Sequence, residues 1–164
     1  MNSEQQAYFA GLMDGEGTVT ILKIWCIVRA GRQKTPGYQL RIQIGMKEPA
    51  EAIVRLHELV PGYITRYGDK TCCMMRWVLT AKRAYAFLQE VYPHMITKKR
   101  QAELALKFQE HVRQLGHTWG GGQYGQNRPR SQEVLDSLDA YYLSMKALNH
   151  PQRLSDPTPL GEKR

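Results

Sequence analysis

The sequence predicts an α+β domain in which four antiparallel strands carry helices on one face. Two observations lead to this class. Clean apolar–polar alternation, the signature of a half-buried strand, marks 38–46, whereas 82–92 carries an apolar stripe at helical spacing. The element order α-β-β-α-β-β-α-α-α, without internal repeats, then favours an antiparallel sheet over alternating βαβ units.

Residues 3–14 read as a helix with Ser3 as N-cap and Gln6 at the capping-box spacing; Gly15 and Gly17 are expected to end it. Residues 18–29, rich in Thr, Val, Ile and Trp, read as a strand, and 30–37 as a loop. In the next strand, 38–46, Gln39, Arg41 and Gln43 face one way and Leu40, Ile42 and Ile44 the other. Residues 49–60 read as a helix closed by Pro61-Gly62. A hairpin follows, with strands 63–67 and 72–80 around Gly68-Asp69-Lys70. In its second strand Met74, Arg76, Val78 and Thr80 lie opposite Cys73, Met75, Trp77 and Leu79. A helix over 82–92 with the stripe Ala84, Phe87, Leu88 and Val91 stops at Pro93. A longer helix covers 97–115, a glycine-rich loop 117–130, and a last helix capped by Ser131 runs to Asn149. Residues 1–149 are thus expected to form one domain, with 150–164 as a loose tail.

The 164 residues are 42% hydrophobic and 23% charged, which suits one folded domain and excludes disordered and collagen-like classes. The longest apolar run, Ile24 to Val28, is far too short to cross a membrane. No secretion signal is evident at the start, and the three cysteines, two of them adjacent, point to free thiols in a reducing compartment. An intracellular, non-secreted protein is expected. The net charge is +8, and its distribution is uneven. Residues 17–47 contain Lys23, Arg29, Arg32, Lys34, Arg41 and Lys47 without an acid. Residues 63–83 contain Arg66, Lys70, Arg76, Lys82 and Arg83 against Asp69 alone. Positive charge concentrated on strands suits a polyanionic partner.

The acids of the first helix are placed oddly. Asp14 and Glu16 stand at its C-terminal end, where the helix dipole disfavours negative charge by roughly 0.3–1 kcal/mol. No Lys or Arg occurs before Lys23 to relieve them. A solvated helix end is one reading. The other is a divalent cation, and Mg²⁺ suits one or two carboxylates completed by carbonyl, water and phosphate oxygens. In the same helix Ala7 and Gly11 are four residues apart with Ala10 beside them, a spacing that lets two helix backbones approach closely.

The stretch Phe9-Ala10-Gly11-Leu12-Met13-Asp14-Gly15-Glu16-Gly17 resembles the signature of the LAGLIDADG homing endonucleases. Phe9 stands for the first Leu, Met13 for Ile, Gly15 for Ala and Glu16 for the second Asp. A second stretch, Tyr92-Pro93-His94-Met95-Ile96-Thr97-Lys98-Lys99-Arg100-Gln101-Ala102, resembles the family's later landmark and puts Lys98 at its active-site lysine. The resemblance covers about residues 3–115 and implies the family's αββαββα fold with a curved antiparallel sheet.

One motif in the chain implies the single-motif, homodimeric type, with Ala7, Ala10 and Gly11 on the helix that meets its symmetry mate. It further implies a site-specific endonuclease making a Mg²⁺-dependent double-strand break at a long, roughly palindromic DNA target, with short 3′ overhangs and two or more Mg²⁺ per dimer. Glu16 and the carbonyl of Gly15 would hold the metal, Lys98 would act on the phosphate or its water, and Asp14 would support them. A polar residue ending the second strand orders water in this family; Glu48 and Gly45 both fit by counting. Together with strand parity, the resemblance makes Gln39, Arg41, Gln43, Tyr63, Thr65, Tyr67, Arg76, Val78 and Thr80 candidate DNA contacts, joined by Lys23 and the loop residues Arg32 and Lys34. The alternative on the same scaffold is a non-cleaving DNA-binding regulator or an intron-RNA maturase. The run Gly120 to Gly125 contains G-x-G-x-x-G but follows a helix, which argues against a dinucleotide site, and the His and Cys residues lack zinc spacing.

Overall fold

The computed structural model describes residues 1–26, 35–69, 72–115 and 131–150. The elements are α1 (Ser3–Glu16), β1 (Gly17–Cys26), β2 (Thr35–Lys47), α2 (Glu51–Leu59), β3 (Tyr63–Gly68), β4 (Cys73–Thr80), α3 (Ala81–Val91), a 3₁₀ turn (Tyr92–His94), α4 (Lys99–Gln114) and α5 (Gln132–Asn149). The order matches the expected one. Arg32 and Lys34, the loop 117–130 and the tail 151–164 lie outside the described residues.

All four strands form one antiparallel sheet in the order β1-β2-β4-β3. Alternation decides which face is covered. Val19 and Ile21, then Leu40, Ile42 and Ile44, then Met75, Trp77 and Leu79 point inward and are buried. Against them lie Phe9 and Met13 of α1, Ile53 and Leu56 of α2, Phe87 and Leu88 of α3, Phe108 of α4, and Leu138 and Met145 of α5. Trp77 is fully buried, stacks edge-on with Phe87 at 5.2 Å, and satisfies its indole N–H on the carbonyl of Val60 at 3.1 Å. The last helix is an integral layer. Ser131 caps it as expected, and Asn149 at its far end donates to the carbonyl of Val19 on edge strand β1, at 2.9 Å.

Two expectations about α1 need correction. Its N-cap is Asn2, paired with Gln5 in a reciprocal capping box, and not Ser3. Gln stands at both 5 and 6, so the two pairings have the same spacing and local sequence does not separate them. Gly15 does not end the helix, which runs through Glu16 and passes directly into β1. Gly17 makes that junction possible. A Cβ there would stand 2.6 Å from the carbonyl oxygen of Met13 and 2.7 Å from its Sδ. The first of these contacts is backbone, which no rotamer change relieves. Gly17→Ala is therefore expected to cost about 1–3 kcal/mol of stability, measured as a lowered denaturation midpoint; a midpoint equal to wild type would contradict this packing.

Candidate functional site

The C-terminal turn of α1 meets the segment leading into α4. Asp14 accepts three backbone N–H bonds: from Ile96 at 2.7 Å, Thr97 at 3.1 Å and Lys98 at 2.8 Å. Burial raises the pKa of this carboxyl, but the three N–H donors and the Lys98 charge together outweigh burial and hold it below the usual range. Asp14 thus ties the segment leading into α4 to the end of α1.

Lys98 returns the contact. Its ammonium donates to the carbonyls of Met13 at 3.1 Å, Asp14 at 2.8 Å and Gly15 at 3.3 Å. Met13 also accepts the backbone N–H of Gly17, and the helix end to which these carbonyls belong has no basic residue in its last turn. The cation missing from the local sequence is supplied from more than eighty residues away. Burial pushes the Lys98 pKa down, and the charges of Asp14 and Glu16 offset this only in part. Gly15's carbonyl, expected to be free for metal, is shared with this ammonium through the longest of the three bonds.

Glu16 is exposed, and its carboxylate has no hydrogen bond or ion pair among the described residues. The site therefore presents one free carboxylate, one carbonyl and an adjacent lysine. All the available donors are hard oxygens, the ligand type that Mg²⁺ takes. No three His, Cys, Asp or Glu side chains converge among the described residues.

The sheet face away from the helices collects the strand residues. The register puts Thr80 beside Arg41, Val78 between Gln43 and Tyr63, and Arg76 beside Thr65; Gln39 and Tyr67 have the same parity. Of the ten strand positions singled out, nine share this face and Lys23 does not. The same register adds Thr18 beside Gln43 and Thr20 beside Arg41, which sequence reading missed because neither face of β1 is cleanly polar. Arg76 stacks its guanidinium 4.3 Å from the Tyr67 ring centre. Arg41 has its Nε shielded from solvent without a hydrogen-bond partner.

Lys23 is the exception and a correction. It pairs with Tyr38 across β1 and β2 and so lies on the helix-covered side. There its ammonium bonds Asp139 of α5 at 2.7 Å, with the rings of Trp25, Tyr38 and Tyr142 around it. The bond to Asp139 raises the Lys23 pKa and lowers that of the acid. Lys23 anchors α5 rather than facing outward. Ala10 is a second correction: it is fully buried in its own core, so only Ala7 and Gly11 of the expected contact residues lie on the outer face of α1. Gly15 continues that face at the next i+4 position, and a Cβ at Gly11 or Gly15 would meet nothing.

No protein-family model and no curated protein matches the chain. Solved structures do. The homing endonuclease I-CvuI in complex with the I-CreI target superposes with a TM-score of 0.68, over 99% of this chain and 88% of that one, at 13% identity. The archaeal intron-encoded homing endonuclease I-Vdi141I complexed with DNA gives 0.63, covering 88% and 84%, at 16% identity. The I-LtrWI LAGLIDADG homing endonuclease bound to target DNA gives 0.61, over 87% of this chain and 43% of that one, at 15% identity. This chain has the LAGLIDADG homing endonuclease fold. In this fold α1 carries the stretch that resembles the family motif and ends on Glu16, and the four-stranded sheet presents one face free of helices. The identities are low, so the likeness shown is one of fold.

Proposed function

We propose that this protein is a site-specific DNA endonuclease, acting as a homodimer and cutting both strands of a long, roughly palindromic duplex to leave 3′ overhangs. The observation that carries this reading is the free Glu16 carboxylate at the end of the motif helix, next to Lys98 and close to a sheet face bearing Arg41 and Arg76. The DNA-bound state of I-CvuI, I-Vdi141I and I-LtrWI, solved on the same fold, supports it.

Each residue has a part. Ala7, Gly11 and Gly15 form an exposed strip without side-chain bulk along α1, flanked by Tyr8 at 57% exposure. Two such strips packed about a twofold axis would bring two Glu16 carboxylates together and supply the half that one chain lacks. Glu16 and the Gly15 carbonyl would then hold Mg²⁺, as the oxygen donors allow, and the I-CvuI complexes were prepared with Mg or Ca. When bound, the ion lowers the pKa of an attacking water and stabilises the leaving 3′ oxygen. Lys98 keeps positive charge against the same turn, where it stabilises charge building on the phosphate. Asp14 fixes Lys98 relative to Glu16 by holding the backbone N–H groups of Ile96, Thr97 and Lys98. The face with Gln39, Arg41, Gln43, Tyr63, Thr65, Arg76, Val78 and Thr80 reads the major groove, where Arg suits guanine and Gln suits adenine.

Arg41 gives a direct test of base reading. Its shielded, unpartnered Nε is an uncompensated cost that a base-edge contact would offset. Arg41→Ala is expected to relax specificity at one symmetric pair of base positions by roughly 1–3 kcal/mol, read by binding to a panel of single-base variants. An equal loss at every position would make Arg41 a phosphate contact. The overall function is tested by incubating the protein with a randomised duplex pool and Mg²⁺, then sequencing the cut ends. A single family of near-palindromic sites, cut only with the divalent ion, is expected. Absence of cutting, or cutting that survives EDTA, contradicts the reading and leaves a binding protein or maturase on this scaffold.

A further inference from the structure

Glu16 precedes Gly17, and Gly17 pairs with Ile44. Gly45, one residue further along β2, therefore lies at the same end of the sheet as the α1–β1 junction that carries Glu16. Gly45 has the parity of Arg41 and Gln43 and lies on the open face, but it contributes no side chain. The atom nearest to where its Cβ would stand is the hydroxyl oxygen of Tyr67, at 3.6 Å. Tyr67 belongs to β3, two strands away, and its side chain spans β4 to reach this position. Arg76, whose register neighbour on β2 is Gly45, stacks on the Tyr67 ring and holds it in place.

The other polar group at this end of β2 is engaged elsewhere. Glu48 binds Arg66 at 2.6 Å and accepts from the Cys73 thiol, and these bonds hold its pKa below the usual range. The Tyr67 hydroxyl makes no hydrogen bond among the described residues. A phenol O–H can donate a hydrogen bond, and a stacked ring loses little freedom when it binds.

We propose that Tyr67 completes the cleavage site: its hydroxyl, entering the gap left at Gly45, donates a hydrogen bond to an oxygen of the phosphodiester beside Glu16. This rests on the nuclease reading above. The test is single-turnover cleavage of a duplex recovered from the randomised pool, with DNA affinity measured alongside. Tyr67→Phe keeps the ring and its stacking. It is expected to slow cleavage by roughly tenfold to a hundredfold while the Kd stays within about twofold. Gly45→Val, whose side chain takes the hydroxyl's place, is expected to slow cleavage similarly. The double variant is then no slower than the slower single variant, because both changes remove one contact.

Wild-type rates in Tyr67→Phe, a Kd that worsens as much as the rate, or losses that multiply in the double variant would each overturn the proposal while leaving the nuclease reading intact. A wild-type protein that cuts no member of the pool overturns both.

Discussion

Glu16→Gln is expected to abolish detectable cleavage of the selected target in Mg²⁺ while leaving duplex affinity within about twofold of wild type. The substitution preserves size and removes one negative charge at a position with no partner among the described residues. It therefore breaks no contact within the fold, and thermal stability is expected to hold or to rise slightly, since a negative charge leaves a helix C-terminus. The combination discriminates: lost activity with retained folding and binding identifies a metal-binding role. Cleavage at the wild-type rate would remove Glu16 from the site.

Lys98→Ala is the second large effect and acts on two properties at once. The ammonium stabilises charge in the reaction, and it also satisfies three carbonyls at the end of α1. Cleavage is expected to fall by roughly a hundredfold to a thousandfold, the scale for losing a preorganised charge at a phosphate. Stability is expected to fall by about 1 kcal/mol as the last turn of α1 loses its cap. Lys98→Arg separates the two roles. Its longer, planar head keeps the charge but cannot point three donors at one turn in the same way, so it is expected to recover part of the stability and less of the rate. Single-turnover rates and denaturation midpoints of the two variants check this. A full recovery of rate by Arg would mean that charge alone suffices.

The sheet was readable from the sequence because alternation is a local property. Leu40, Ile42 and Ile44 against Gln39, Arg41 and Gln43 declare two faces without reference to any other strand, and the burial of the first three agrees. The acids of the site were readable because Asp14 and Glu16 contradict the helix dipole. What relieves that contradiction was not. The bonds of Asp14 to the backbone before α4 and the Lys98 cap on α1 join residues more than eighty apart, and neither leaves a local pattern.

Lys23 shows the same boundary. Next to Trp25 it has the composition of a nucleic-acid contact, and only the register with Tyr38 and the approach of Asp139 show that it faces the helices. Ala10 looks like Ala7 in sequence but sits a different step around the helix, inside the core. Gly15 reads as a stop, yet a glycine costs a helix only about 1 kcal/mol, which the cap from Lys98 offsets.

The central claim is that two copies of this chain bring their Glu16 carboxylates together to hold divalent metal against DNA. Crystals of the protein with its selected duplex, soaked in Mn²⁺ and measured at the manganese absorption edge, test it most directly. The account predicts a twofold dimer with α1 against α1, and anomalous peaks between Glu16 oxygens and the phosphates to be cut. A monomer on the duplex, or a dimer whose Glu16 side chains lie far apart without metal, would contradict it.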